Sequence, residues 1–283
     1  MRYIAIIYKR MRPEAARLSH QLKEWFQKRD IEVFIRENID NSGISCTYDK
    51  IDIPAQTEAV VVVGGDGTFL SVARFIEERP IPIIGVNLGG LGFLTEINAE
   101  SCFSEFEKIL AGNFEIEQRM ALRVSVKREG KVIFSHRVLN DAVINKGALA
   151  RIVDLHASIN DHFLTHFRGD GLIICTPTGS TAYNISAGGP IIFPTAKVIV
   201  LTPICPFTLT NRPIVFPAEV TVMVEIAEPG ADVTLTCDGQ VGCPISDFDQ
   251  VVVTAASTPL GFIRAPGINH FEILRSKLKW GQQ

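Results

Sequence analysis

Long hydrophobic runs are missing from this chain: no apolar stretch approaches the ~20 residues of a membrane-spanning helix. The N-terminal Met-Arg-Tyr-Ile-Ala-Ile-Ile-Tyr-Lys-Arg has too short an apolar core for a secretory signal. A basic excess is missing too. The 28 Lys and Arg against 31 Asp and Glu leave a net charge of −3, which disfavours a nucleic-acid partner. Paired cysteine motifs are missing: Cys46, Cys102, Cys175, Cys205, Cys237 and Cys243 are scattered and include no Cys-x-x-Cys pair. Even Cys237 and Cys243 lack the spacing of a zinc site. No Walker A sequence occurs and no glycine loop completes G-x-G-x-x-G, so a P-loop nucleotidase and an ordinary dinucleotide-dependent dehydrogenase are disfavoured. Repeats and low-complexity segments are absent. These absences leave a reduced, soluble, cytoplasmic chain with no membrane attachment. Its 283 residues are 46% hydrophobic and 21% charged, enough for one large or two ordinary domains.

The strongest local signal is Ala59-Val-Val-Val-Val-Gly-Gly-Asp-Gly-Thr-Phe-Leu-Ser-Val72. Val60–Val63 reads as a strand buried on both faces. Gly64, Gly65 and Gly67 strip the following turn of side chains, and Thr68 can cap a helix running through Phe69, Leu70 and Phe75. A buried strand, a glycine turn and a helix N-terminus gather backbone N–H groups, which suits phosphate at Gly64, Gly65, Gly67 and Thr68. Asp66 sits in the middle of that turn. A carboxylate beside a phosphate is unfavourable unless it has a task, such as holding a metal or accepting a proton. A tight βα turn with a capping Asp is the plainer alternative.

Around this stretch, strands alternate with helices. Tyr3–Tyr8 and Ile31–Ile35 read as strands, with a helix from Pro13 to Lys28 between them. The polar run 37–57 reads as a mobile loop. Ile81–Asn87 is a further strand, ending in the second glycine-rich loop, Gly89-Gly90-Leu91-Gly92-Phe93. Such alternation predicts an open parallel α/β domain, Rossmann-like, over 1–98, its ligand lying at the carboxyl ends of the strands. After a short helix near Ser104–Leu110 the pattern becomes short strands, from Leu122–Lys127 through Gln250–Ala255, divided by Gly, Asn-Asp and Pro breaks. That predicts an all-β sandwich over 99–264. The tail, about 265–283, reads as a helix returning to the first domain.

The second domain carries further polar signals. Asn140-Asp141 interrupts the sheet, as a sharp turn or as a group holding both hydroxyls of a ribose. Arg168-Gly169-Asp170-Gly171 reads as a hairpin turn or as a second glycine-flanked carboxylate. Thr176-Pro-Thr-Gly-Ser-Thr-Ala-Tyr183 leaves hydroxyl and backbone donors open. Ser180 and Thr181 would cap a helix through Ala187, and a flat adenine could lie against Tyr183. Asp238-Gly239-Gln240 and the loop Asn211-Arg212-Pro213 read as ordinary turns. His162 and His166, four apart in strand-like sequence, are a metal pair or surface histidines. Ser180 lacks the His and Asp that would mark a nucleophile.

Together these motifs resemble the NAD kinases. The resemblance runs from Gly64 to Gln240, and its most specific part is Thr176–Tyr183, because Gly-Gly-Asp-Gly-Thr is shared with lipid and sugar kinases. It implies transfer of the γ-phosphate of ATP, or of polyphosphate, to the 2′-hydroxyl of the adenosine ribose of NAD. It makes Asp66 the proton acceptor, with Gly67 beside it on acceptor and phosphates and Phe93 lining the nucleoside pocket. Asn140 and Asp141 would hold a ribose, Asp170 the nicotinamide amide, and Arg151 and Arg168 ligand oxygens. Thr181, Ala182, Tyr183, Asn184, Ile185 and Ser186 would surround the adenine side, and Gln240 would close the site. A divalent ion, Mg²⁺, is implied with no protein ligands of its own, since Mg²⁺ keeps waters and phosphate oxygens. The partners implied are small nucleotides and further copies of the chain, as a dimer or tetramer. Two departures stand out: Asp141 where the family has Glu, and Phe207 where it has His. A lipid or sugar kinase and a non-catalytic dinucleotide sensor are the rival readings.

Overall fold

The structure, a computed structural model, describes residues 1–39, 51–76, 79–147, 152–208, 210–227, 232–264, 267 and 269–280. It divides into two compact units. One comprises the described residues of Met1–Asp40, Asp49–Gln118 and Leu260–Gln283; the other comprises those of Arg119–Pro259. Of the expected mobile loop, 40–50 lies outside the described residues.

In the first unit the chain runs β1 (Tyr3–Tyr8), α1 (Pro13–Gln27), β2 (Glu32–Glu37), β3 (Ala59–Val63), α2 (Asp66–Ile76), β4 (Ile83–Asn87). These strands pair in parallel in the order β2-β1-β3-β4. All five residues of β3 are buried, which accounts for its unbroken valine run. Helix α1 has Pro at its start, where a missing N–H costs nothing, and buries Ala15, Leu18, Leu22 and Phe26 along one face. Thr68 is not the cap of α2: the helix opens two residues earlier, at Asp66. The reason is local, since Thr68 N and Phe69 N already donate to Gly65 O. Asp66 thus stands in the first turn, where a negative charge suits the helix dipole.

The expected domain boundary lay near 98–104; the units divide at Gln118. Packing explains the extra residues. Helix α3 (Cys102–Leu110) buries Phe106 and Ile109 in the core under the parallel sheet, and Phe106 meets Phe26 edge-on at 5.1 Å. The strand Glu115–Arg119 joins the same sheet, as does Leu260–Arg264, paired in parallel with β4 at Phe262 and Ile83. The tail helix His270–Leu278 belongs to this unit and buries Ile273 and Leu274.

The second unit is two six-stranded antiparallel sheets. Alternate residues of both face one core: Val124, Leu155, Val224 and Val253 from one sheet, Ile144, Leu172, Leu201 and Leu235 from the other. Ile214–Pro217 and Val241–Ile245 are strands the sequence did not announce. Pro and Gly break their apolar pattern, and both lie at the ends of their sheet, where such residues are tolerated.

Candidate active site

The turn after β3 is tied to the second glycine loop by Asp66. Its Oδ2 accepts from Phe93 N at 2.9 Å, and its Oδ1 accepts from Leu94 N (3.1 Å), Thr95 N (3.2 Å) and Thr95 Oγ1 (3.0 Å). Close approach requires glycine on the loop side: a methyl on Gly92 would overlap both Asp66 Oδ1 and Thr95 Oγ1. Gly64 is crowded by Thr68, while Gly65 has open space around it and Gly67 is exposed. Phe93 is half-buried on the tied loop. Behind the loop, Arg264 bonds Glu96 and Glu117, each at 3.0 Å, fixing the residue after Thr95 to the strand Leu260–Arg264. Thr95 was not among the residues expected at the site, although it directly follows Leu91-Gly92-Phe93-Leu94. The signal available was a hydroxyl residue ending an otherwise apolar glycine loop.

In the second unit, Asn140 and Asp141 form the entry to the strand Asp141–Lys146. The turn is shaped by Asp238, whose carboxylate accepts from Leu139 N (3.0 Å), Asn140 N (2.7 Å) and Asp141 N (3.2 Å). Asp238 holds a left-handed backbone, φ 51°, which Asp tolerates better than most residues. Nothing in the sequence near Asp238 signals that this ordinary-looking turn organises a distant one. Burial, and then the Asp238 charge, push the Asp141 carboxyl up to about 7. Asn140 Oδ1 is buried with no hydrogen-bond partner among the described residues.

The Thr176–Pro190 segment is stapled to the same turn. Thr176 N donates to Asn140 O at 2.9 Å, and Thr176 Oγ1 donates to Leu139 O at 2.6 Å while accepting from Gly179 N. A methyl on Gly179 would strike the Asn140 carbonyl, so this loop can lie against the turn only with glycine there. The expected single helix from Ser180 is instead a 3₁₀ turn, Gly179–Thr181, a break at Ala182, and a short helix, Tyr183–Ser186. No side chain caps either piece. Ser180 is fully buried and spent elsewhere, donating to Pro177 O and accepting from Ile192 N, and Thr181 Oγ1 donates to Thr178 O. Asn184 is also fully buried. Its Nδ2 donates to Ser180 O and Pro190 O, and its Oδ1 accepts from Thr202 Oγ1, so its amide is used up internally. Tyr183 is exposed, and Ile185 is half-buried beside exposed Ser186.

Other named residues stand apart from this group. Asp170 marks not a hairpin but the crossing from one sheet to the other, between the strands His162–Gly169 and Gly171–Cys175. Gly169 and Gly171 flank it because a Cβ at either would meet the backbone of Ile204 or Ile144. The Asp170 carboxylate pairs with Lys146 at 2.7 Å. Arg168 turns to Asp154 (3.7 Å) and lies over Phe207, 5.5 Å from the ring centroid, which gives the unexpected Phe207 a contact. His166 stands against His156 across the strand pair, rings 4.7 Å apart, and His162 pairs with Ile159. Gln240 N donates to Cys237 O in the turn that presents Asp238. Arg151 lies outside the described residues.

A parallel α/β unit with a carboxylate-tied glycine turn, and an antiparallel sandwich with a stapled hydroxyl-rich loop, define a protein of two unlike units. The ATP-NAD kinase N-terminal domain model matches residues 4–114, and the ATP-NAD kinase C-terminal domain model matches 139–265. The NAD kinase of Syntrophobacter fumaroxidans is 63% identical over 282 residues, all of both chains; that of Geotalea daltonii is 46% identical over 285, again all of both. The chain belongs to the ATP-NAD kinase family. Among solved structures, yeast NADH kinase complexed with NADH matches all of this chain and 89% of its own, with TM-score 0.85 and 22% identity. An NAD kinase from Archaeoglobus fulgidus in complex with ATP matches 98% of each chain, with TM-score 0.76 and 24% identity. These two likenesses show a shared fold.

Proposed function

We propose that the chain transfers the γ-phosphoryl group of ATP to the 2′-hydroxyl of the adenosine ribose of NAD, forming NADP and ADP. The observation that carries this reading is family membership along the whole chain, with the Asp66 turn intact. In the transfer a bond forms from the ribose oxygen to the γ-phosphorus, the bond to the β-bridging oxygen breaks, and the hydroxyl proton passes to Asp66. Such a transition state needs alignment and charge stabilisation more than covalent help. The glycine turn at Gly64, Gly65, Gly67 and Thr68 takes the phosphates at the start of α2. Gly64 N and Thr68 N already donate to Val86 O and Gly65 O, so these two residues act there through the shape of the turn. Asn140 and Asp141 take a ribose, and Asn140 Oδ1, buried without a partner among the described residues, is free to accept a hydroxyl. Thr181, Ala182, Tyr183, Ile185 and Ser186 take the adenine side. Asn184 contributes only through its backbone there, since its amide is occupied. Phe93 lines the nucleoside pocket, Asp170 with Lys146 meets the nicotinamide amide, Arg151 and Arg168 meet ligand oxygens, and Gln240 closes the site.

Mg²⁺ is the expected metal. Among the described residues no group of three or more His, Cys, Asp or Glu is placed to hold one, so these residues do not build a metal site alone. When bound, the ion would neutralise phosphate charge through nucleotide oxygens and waters. No described helix is long and apolar enough to cross a membrane, and we assign the enzyme to the cytoplasm as a homodimer or homotetramer.

The test is a labelled-phosphate assay offering NAD, NADH and diacylglycerol with Mg-ATP or polyphosphate. Label on NAD or NADH supports the reading, and label on the lipid alone overturns it. Binding of NAD without turnover would favour the sensor.

A further inference from the structure

The Asp66 carboxylate is held by a chain of donors whose order can be fixed atom by atom. Gly89 N can only donate, so its 2.9 Å partner on Asn87 is the carbonyl Oδ1, and the amide NH₂ must face Thr95. Asn87 Nδ2 then donates to Thr95 Oγ1 at 2.9 Å. Having accepted there, the hydroxyl gives its own hydrogen to Asp66 Oδ1, 3.0 Å away. Leu94 N and Thr95 N reach the same oxygen. Three donors saturate the two lone pairs of Oδ1. Oδ2 accepts from Phe93 N and from no other described group, so one of its lone pairs stays open.

Thr95 is fully buried, and its surroundings are shaped to bring it this close. A methyl on Gly85 would come within 2.7 Å of Thr95 Cα, and one on Gly92 would overlap Thr95 Oγ1. Both glycines therefore serve the same contact, Gly85 from within β4 and Gly92 from within the loop. Resting on the function proposed above, we propose that Thr95, oriented by Asn87, is a positioning residue that commits Asp66 to accept the ribose hydroxyl proton on Oδ2. Without the Thr95 hydroxyl the carboxylate could rotate and share its two oxygens, losing the single alignment that proton transfer requires.

The experiment compares wild type with Thr95→Val, Thr95→Ser, Asn87→Asp, Asp66→Asn and the double variant Asp66→Asn/Thr95→Val. ADP release with NAD and Mg-ATP gives kcat and KM, and calorimetry gives NAD affinity. One charge-assisted hydrogen bond corresponds to a loss of about 10-fold in kcat for Thr95→Val, with KM for NAD within about twofold of wild type. Thr95→Ser keeps the hydroxyl and restores most of the rate. Asn87→Asp keeps the acceptor for Gly89 N but replaces a donor by an acceptor, so the Thr95 hydrogen is drawn away and kcat falls in the same direction. In the Asp66→Asn background, Thr95→Val costs little more, because the group it positions is gone.

Full kcat in Thr95→Val or in Asn87→Asp overturns the positioning role, as does an equal loss with and without Asp66. If Thr95→Val fails to fold, the role stands or falls on Asn87→Asp, which keeps the buried volume, and on Thr95→Ser, which keeps the hydroxyl. Failure of the functional reading looks different: wild type itself would then put no phosphate on NAD or NADH, and the role assigned to Thr95 would fall with it.

Discussion

Asp66 and Asp238 perform the same mechanical task in the two units: each is a carboxylate that gathers three backbone N–H groups from a distant turn. Asp66 gathers Phe93, Leu94 and Thr95; Asp238 gathers Leu139, Asn140 and Asp141. They differ in how the tie relates to the chemistry. On the first unit the tie and the proposed reacting group are one side chain, and a hydroxyl relay fixes which oxygen is free. On the second, tie and proposed ligand group are separate carboxylates, Asp238 and Asp141, and the tie's charge helps to raise the ligand group to about 7. On the proposed function, the first arrangement would protect orientation and the second would make binding sensitive to pH. Breaking the first should therefore cost rate, and breaking the second affinity.

The largest effect expected is from Asp66→Asn. The amide keeps one acceptor oxygen for the loop but cannot take a proton, so kcat falls by at least ~10²-fold, the lower end of a general base's contribution. Calorimetric NAD affinity stays near wild type. Unchanged turnover would remove Asp66 from the chemistry and dissolve the contrast between the units.

Next comes Gly179→Ala. The added methyl has the Asn140 carbonyl in its way, and that neighbour is backbone, so the turn or the loop must move. The KM for NAD is expected to rise about 10-fold or more, a shift of ~1.4 kcal/mol in binding, with kcat changed less. A kcat loss at constant KM would place this loop's role with the reacting group instead.

How far the sequence carried depended on whether a residue advertises its own environment. The valine run of β3, Pro13 at the start of α1, and the alternating strands of the sandwich all did, since period and breakers act locally. Asp66, Asn140, Asp141 and the Thr176–Pro190 segment stood out as polar interruptions of apolar sequence. Asp238 and Thr95 did not, because their partners lie 97 to 99 residues away in one case and beyond a glycine loop in the other. The expected helix at Ser180 failed for a related reason. Its hydroxyl bonds to Pro177 O and Ile192 N outcompete a cap, and no local propensity reports on Ile192.

Asp238→Ala is the third step down. Three N–H groups lose their acceptor, and alanine is a poorer residue than aspartate at φ 51°. Water can reach part of this turn, so the expected loss of stability is about 2 kcal/mol by denaturant titration, with a higher KM for NAD. A stability loss without any change in KM would make Asp238 a brace for the sheet alone.

The smallest effect is the one that best separates the two carboxylates of the second unit. Asp141 ionises near 7 in the folded protein, raised first by burial and then by Asp238, against about 3.9 for an ordinary aspartate. Between those values the folded state holds a proton that the unfolded chain has released, so this residue makes stability fall as pH rises through that window. Asp141→Asn has nothing to ionise. The melting temperature of Asp141→Asn relative to wild type is therefore expected to be more favourable at pH 8 than at pH 5. Binding moves oppositely: ionised Asp141 accepts ribose hydroxyls better, so wild-type KM for NAD should fall a few-fold as pH rises through about 7. Asp238→Asn keeps an acceptor for Asn140 N and Asp141 N yet drops the neighbouring charge, which eases ionisation of Asp141 and moves that midpoint to lower pH. A midpoint unmoved by Asp238→Asn would mean that burial alone sets Asp141, and the tie on the second unit would then be as electrically silent as the sequence made it look.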